Sequence, residues 1–321
     1  MTSLLTHSRI KSYRTCPRLH HLRYELGYRP AREADALRFG TLVHKGLEAW
    51  WRAKDGERLE AGIAAIADHP EETERAKARA LVSGYDAKWS GERFEVLAVE
   101  QEFAFPLVNP STGEPVADWM VAGKMDAVAR DAAGRTLVVE HKTSSTDFSA
   151  GSAYAQKLRL DSQVSIYFAG AAALGYDVEG VLYDVIAKPQ QKRKQATREV
   201  KLKKDGTPRA GQNLEDESLD AFEARLLEEV VGNLDNYFGR WEVPRLEHDL
   251  EQSRRGLWEW ARRIGADRFG EAPCNPDRCH DYGRACDFFP VCSGAASLED
   301  PTLFRRASVS HEELNQNGEK R

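Results

Sequence analysis

The apolar positions of this chain change their spacing twice. In the first ninety residues they recur at helical intervals. Phe39, Val43, Leu47 and Trp50 form one stripe at i+3 and i+4 spacing and predict a helix over 36–53. Ser8 can cap an earlier helix, Cys16-Pro17 interrupts it, and Pro17 suits the first turn of the next. Two further helices are expected within 57–89, parted by His69-Pro70. The pattern then turns to β-branched and aromatic runs. FEVLAVEQEFAFPL, VADWMVAGKMDAVAR and TLVVEHKTSS read as three strands, with Asp131-Ala132-Ala133-Gly134 as the turn between the last two. A helix over 161–174 and a strand, VEGVLYDVIA, follow. Segment 188–213 has no periodicity and reads as a loop or flexible hairpin. Helices return at 219–238 and 246–264, ahead of a cysteine-rich segment. The tail after Asp300 is polar and is expected to be disordered. No internal repeat is present. The pattern is that of an α/β core flanked by helices.

Composition places the chain among globular proteins: 41% of its 321 residues are hydrophobic and 30% charged. No apolar run approaches the roughly 18 residues needed to span a bilayer. The N-terminus lacks the apolar core of a secretory signal, so a cytoplasmic location is the expectation. The net charge of −5 hides local asymmetry. Residues 9–32 carry seven Arg and Lys against Glu25 alone, and 188–209 carry nine against two acids. Phosphate binding depends on such local fields, although a charge run is more often plain solvated surface.

Two clusters carry chemistry. The first is the hairpin AGKMDAVARDAAGRTLVVEHKTSS. With its midpoint at Ala133, Asp126 faces Glu140, at a Cβ separation of about 4.5–5.5 Å where like charges repel. A divalent cation between them would reverse that cost. Glu140 and Lys142 share one face of their strand, and the apolar run Leu137-Val138-Val139 before them suits a strand buried on both sides. Hard carboxylate oxygens suit Mg²⁺ or Mn²⁺, and a lysine beside them suits phosphodiester hydrolysis. The same register places Lys124 opposite Lys142, unless a bulge shifts it. The plain alternative is a surface hairpin with a Glu–Lys pair. Glu102, on the preceding strand, is a weaker candidate. The second cluster is Cys274, Cys279, Cys286 and Cys292, with Cys16 far upstream. Without a secretory signal it points to a metal or iron–sulfur site rather than to disulfides. On ligand count, zinc held by the four close cysteines fits as well.

The D-x13-E-x-K arrangement in GKMDAVARDAAGRTLVVEHK resembles the PD-(D/E)XK nucleases, and its company resembles their RecB-like branch. Gly40 to His44 matches a G-x3-H motif and Gln163 to Tyr167 a Q-x3-Y motif. Ser8, Ser12, Tyr13, Cys16 and Pro17 match an element that often opens the family's chains. The motifs stand in family order over most of the chain. The resemblance implies a restriction-endonuclease-like core with a mixed central sheet, flanking helices and a cysteine-cluster clasp. One nuclease domain would cover 1–300: a helical part at 1–92, the core at 93–187, the basic loop at 188–213, and a helical, Cys-rich part at 214–300. A disordered tail would occupy 301–321. His44, Asp126, Glu140 and the His141 carbonyl would bind Mg²⁺ or Mn²⁺, Lys142 would be the catalytic lysine, and Gln163 and Tyr167 would line the site. For Tyr167 packing in the core is the plain alternative. Cys16, Cys279, Cys286 and Cys292 would hold a [4Fe–4S] cluster, with Cys274 surplus and structural Zn²⁺ as the alternative.

The implied function is that of a stand-alone DNA exonuclease, similar to phage and CRISPR-associated members, in recombination, repair or end processing. Single-stranded DNA or duplex ends would be the partner. No Walker A motif is present, so any helicase or recombination protein would be separate, and no membrane is involved. The rivals are a non-catalytic DNA-end-binding scaffold and a structure-specific endonuclease.

Overall fold

The computed structural model describes every residue except 1, 33, 200, 202, 208, 210, 268–271, 282–283 and 315–321. In chain order the elements are β1 (Ser3–Leu5), α1 (His7–Thr15), α2 (Pro17–His20, continued by a π-turn at His21–Glu25), β2 (Tyr28–Pro30), α3 (Asp35–Arg52), α4 (Arg58–Ala65) and α5 (Glu72–Trp89). Then come β3 (Glu95–Val108), β4 (Pro115–Arg130), β5 (Thr136–Ser144), α6 (Ala153–Leu158), α7 (Ser162–Ala173) and β6 (Gly180–Ala187). The last third holds α8 (Leu219–Gly232), α9 (Leu234–Tyr237), β7 (Phe238–Val243), α10 (Glu247–Ala266), β8 (His280–Asp281), β9 (Arg284–Ala285), α11 (Phe289–Cys292) and β10 (Phe304–Arg306).

Among the described residues, six strands form one mixed sheet in which β5 and β6 run parallel and β4 is antiparallel to β5. β4 is the key to the site. β3 follows one edge of it, so β5 at 127–130 and β1 at 119–121 must share the other edge. Between those two partners the edge of β4 is open, and Ala122, Gly123, Lys124 and Asp126 line a cleft there. Helices cover both faces. Val139, Ala127 and Leu182 face α3, α5 and α8, while Val138, Val128 and Val181 face α7 and α10. Leu137, Val138 and Val139 are at most 2% exposed, as a strand buried on both faces requires.

Gly40 lets α3 approach the end of β5. A Cβ there would stand 3.1 Å from Thr143 Oγ1, so a larger side chain would push away the helix that carries His44. The predicted helices at 36–53, within 57–89, at 161–174 and at 246–264 are present with small changes of boundary.

Three expectations need correction. The helix expected over 219–238 is present but broken at Asn233 into α8 and α9, and the strand that follows it, β7, which pairs with β6, was not expected. The tail is not disordered from 301. β10 pairs with β2, and Phe304, 4% exposed, stacks on Phe288. One buried ring and three backbone pairs order an otherwise polar segment, whose residues 315–321 lie outside those described. The basic run 9–32 is not simply a solvated face, because Arg9 and Arg29 are buried and hydrogen-bond to main-chain carbonyls. Segment 188–213 has no helix or strand among its described residues and folds back on itself through Arg209 N to Lys201 O and Lys203 N to Thr207 O. No helix among the described residues is long and apolar enough to cross a membrane.

The N-terminal helices also build in an acid sensitivity. Arg9 Nε donates to His20 Nε2 at 3.1 Å, a contact that needs neutral His20. Burial, and then the Arg9 charge, push His20 from 6.5 down to about 3. Between those values the unfolded chain binds the extra proton and the folded one does not. The His20 contribution is therefore whole above pH 6.5 and is lost as pH falls from there towards 3. Melting curves from pH 7.5 to 5 should fall less steeply for His20→Gln than for the wild type; equal slopes would remove His20 from the account.

Candidate active site

The site is assembled where β4 leaves β5. The ladder runs from Arg130–Thr136 to Ala127–Val139, the register in which Asp126 comes opposite Glu140. It stops there, and Asp126 Oδ2 accepts the His141 N–H at 2.7 Å in place of a backbone carbonyl. The strands part beyond this point, so Lys124 does not meet Lys142; it pairs with Glu100 on β3.

Glu140 is 3% exposed and points towards α7. Its Oε1 receives Gln163 Nε2 at 3.0 Å and the Lys142 ammonium, and its Oε2 receives Tyr167 OH at 2.7 Å. Gln163 and Tyr167 stand one helical turn apart on α7, and their side chains are in contact. On the other side, His44 of α3 places Nδ1 3.6 Å from Asp126 Oδ2. The expected residues His44, Asp126, Glu140, His141, Lys142, Gln163 and Tyr167 thus gather in one place.

Burial dominates the electrostatics. It pushes Glu140 up to about 7, with Lys142 pulling down and Asp126 pushing up. It also pushes the Asp126 carboxyl up, but the neighbouring His44 and His141 rings and the Lys142 ammonium outweigh it and hold that carboxyl below its usual range. His44 is pushed down to about 4 by burial, against the pull of Asp126. Its ring is therefore neutral at physiological pH, the form that binds metals. Burial likewise opposes the Lys142 charge, but Glu140 and Asp126 outweigh it and raise its pKa.

The cleft around these groups has a volume of about 1360 Å³. Its walls carry Lys11 from α1, Lys45 from α3, Lys124 from β4 and Lys188 at the start of the basic segment. Among the described residues, no three His, Cys, Asp or Glu side chains stand close enough to hold one metal ion as placed. The carboxylates of Asp126 and Glu140 are turned to different partners, Asp126 to His141 and His44, Glu140 to Lys142 and α7. The donor types nevertheless suit a hard divalent cation: two carboxylates and a neutral imidazole.

The sequence model of the PD-(D/E)XK nuclease superfamily matches residues 4–293, nearly the whole chain. The chain belongs to that superfamily. No curated protein matches it. Among solved structures, the PD-(D/E)XK chain is similar to a candidate exonuclease from Eubacterium rectale, at 11% identity and a TM-score of 0.45, over 93% of this chain and 90% of that one. It is also similar to SSO0001, at 14% identity and a TM-score of 0.29, over 72% of this chain and 75% of the other.

Two cleft residues of this PD-(D/E)XK nuclease were not legible in advance. Glu100, rather than Glu102, lines the cleft; Glu102 is exposed, with Lys124 as its register partner. Glu100 has φ +55, a left-handed conformation unusual for a non-glycine residue, in the gap between the Val99–Ala127 and Gln101–Met125 pairs. Both glutamates lie on one strand at even spacing, so alternation alone cannot separate them. His7, at the start of α1, also lines the cleft, 3.3 Å from Ser162 Oγ. Ser8 beside it, expected to cap this helix, lies inside it instead, and the N-cap is Thr6, whose hydroxyl accepts the Arg9 N–H.

The cysteines form a separate place. Cys16, Cys274, Cys279, Cys286 and Cys292 all line one small cavity of about 20 Å³. Cys16, between α1 and α2, receives the Asn275 N–H on its sulfur at 3.3 Å. Cys274 is not remote from the others, since it lines the same cavity as Cys292.

Proposed function

We propose that this nuclease is a Mg²⁺- or Mn²⁺-dependent deoxyribonuclease that degrades DNA from an end. The observation that carries the reading is the convergence of His44, Asp126, Glu140 and Lys142, from three separate elements, on one open edge of β4. In this reading His44, Asp126, Glu140 and the His141 carbonyl hold the cation. Once bound, the cation supplies Lewis acidity towards a phosphoryl oxygen and activates water at neutral pH. Gln163 and Tyr167 grip both oxygens of Glu140 and fix its plane. Lys142, already beside Glu140, orients the attacking water and offsets the negative charge that develops on the phosphoryl group. The cleft lysines neutralise backbone phosphates on either side. Action from an end, and a role in recombination, repair or end processing, rest on the resemblance of the ordered motifs to stand-alone exonucleases.

The test is incubation with end-labelled single- and double-stranded DNA and with a closed circle. Cleavage of the linear forms with Mg²⁺ or Mn²⁺, none in EDTA and an intact circle is the expected result. Cleavage in EDTA would sink the metal-dependent reading, and a nicked circle the end-directed one.

For the thiols we propose a [4Fe–4S] cluster on Cys16, Cys279, Cys286 and Cys292. Support comes from their shared cavity and from the contact of Cys16 with 273–275, which brings distant parts of the chain together. Protein purified without oxygen should hold more iron than zinc. Cys16→Ser should lose the iron and melt lower, while Cys274→Ser should keep it. A zinc site on the four late cysteines reverses these outcomes, and a colourless, zinc-loaded Cys16→Ser protein would establish it instead.

A further inference from the structure

The residue between Glu140 and Lys142 works on the opposite side of the sheet. Alternate side chains of a strand face opposite ways, so His141 turns from α7 into the layer beneath α3 and α5, where it is 3% exposed. Its register partner on β6 is Asp184, and the register partner of Asp184 on β7 is Arg240. Three ionisable side chains thus form a row across three adjacent strands. His141 Nε2 stands 3.8 Å from Asp184 Oδ2, and Arg240 Nη2 donates to the same oxygen at 3.0 Å.

The row continues at both ends. On the cleft side His141 Nδ1 lies 3.4 Å from Asp126 Oδ2, and on the outer side Arg240 pairs with Glu92. From the packed helices come Tyr85, which donates to Asp184, and Trp51, whose indole N–H meets the Tyr85 hydroxyl at 3.0 Å. Asp184 is fully buried.

Stability does not explain such a row. Burying paired charges costs several kcal/mol per ion, and apolar replacements often do as well or better. The row is also incomplete, because His141 Nε2 and Asp184 Oδ1 have no hydrogen-bond partner among the described residues. Its cleft end reaches Asp126, which accepts the His141 backbone N–H at 2.7 Å and has the ring Nδ1 at 3.4 Å. Groups that hydrogen-bond to a ligating carboxylate orient it, and losing one typically costs about 10–100-fold in metal affinity or activity.

We infer that His141 is a positioning residue: its imidazole, held between Asp126 and the buried Asp184–Arg240 pair, sets the orientation of the Asp126 carboxylate and thereby the affinity of the site for a divalent cation. The inference rests on the metal-site reading proposed above.

Calorimetric titration of Mn²⁺ into the full-length, DNA-free protein tests it, with melting in EDTA as the control for folding. His141→Leu should bind Mn²⁺ at least about tenfold more weakly, and its cleavage rate should recover as Mn²⁺ is raised. His141→Gln, whose amide can still donate to Asp126, should fall between the two. If His141→Leu does not fold, the double variant Asp184→Leu/Arg240→Met decides the matter. It replaces the buried ion pair with an apolar pair, and it should fold but bind Mn²⁺ several-fold more weakly. Wild-type Mn²⁺ affinity in folded His141→Leu, or in the double variant when it alone folds, overturns the inference, whatever the melting temperature. A wild-type protein that takes up no Mn²⁺ would instead overturn the metal-site reading itself.

Discussion

Lys142→Ala should lower the rate of DNA cleavage by roughly 10²–10³-fold, the usual cost of removing one charge-stabilising donor from a reacting phosphoryl or acyl group. DNA binding and the fold should change little. Lys142 is about one-third exposed at the cleft, and the other contacts of Glu140, from Gln163 and Tyr167, remain after the ammonium is removed. The change should appear in kcat at saturating DNA, with KM nearly constant, because the ammonium counters charge that exists only in the transition state. Single-turnover cleavage with saturating Mn²⁺ is the measurement. A Lys142→Ala protein that digests DNA at the wild-type rate would remove the residue from the chemistry.

The largest effect on stability is expected at Arg240. Its guanidinium lies against the Trp89 ring at 4.0 Å, donates to Asp184 and to Tyr85, and pairs with Glu92. Arg240→Ala leaves the Asp184 carboxylate buried with no cation firmly bonded to it. Breaking one side of a buried pair costs about 3–5 kcal/mol, which in a chain of this size lowers the melting temperature on the order of 5–10 °C. Replacing both partners, as in Asp184→Leu/Arg240→Met, should recover most of that loss, because no unpaired charge is left behind. Denaturant unfolding of the two variants checks both statements. A fall of less than 1 kcal/mol for Arg240→Ala would mean that water reaches Asp184.

Much of the site could be read in one dimension. The hairpin register that brings Asp126 to Glu140 follows from symmetric spacing about a turn, and the ladder obeys it down to Ala127–Val139. The long helix of His44 follows from apolar periodicity, because it buries a stripe wide enough to show, whereas the helix of Gln163 and Tyr167 buries the consecutive residues 164–167 and shows no single stripe. Helical and strand spacing are local properties. They survive in the sequence wherever an element is long and has one buried face.

What the sequence alone did not determine is set by partners far along the chain. β7 is only six residues long and follows a helix; its strand state comes from pairing with β6 rather than from its own pattern. The ordered stretch near Phe304 depends in the same way on β2 and Phe288. Glu100 and Glu102 are equivalent by alternation, and only the backbone reversal at Glu100 turns one of them into the cleft. The row His141–Asp184–Arg240 exists because three strands align in one register, and no spacing between 141, 184 and 240 encodes that. Local propensity and period were therefore decided by the sequence, whereas every feature that needs two distant segments in register was decided by the pairing of those segments in the folded chain.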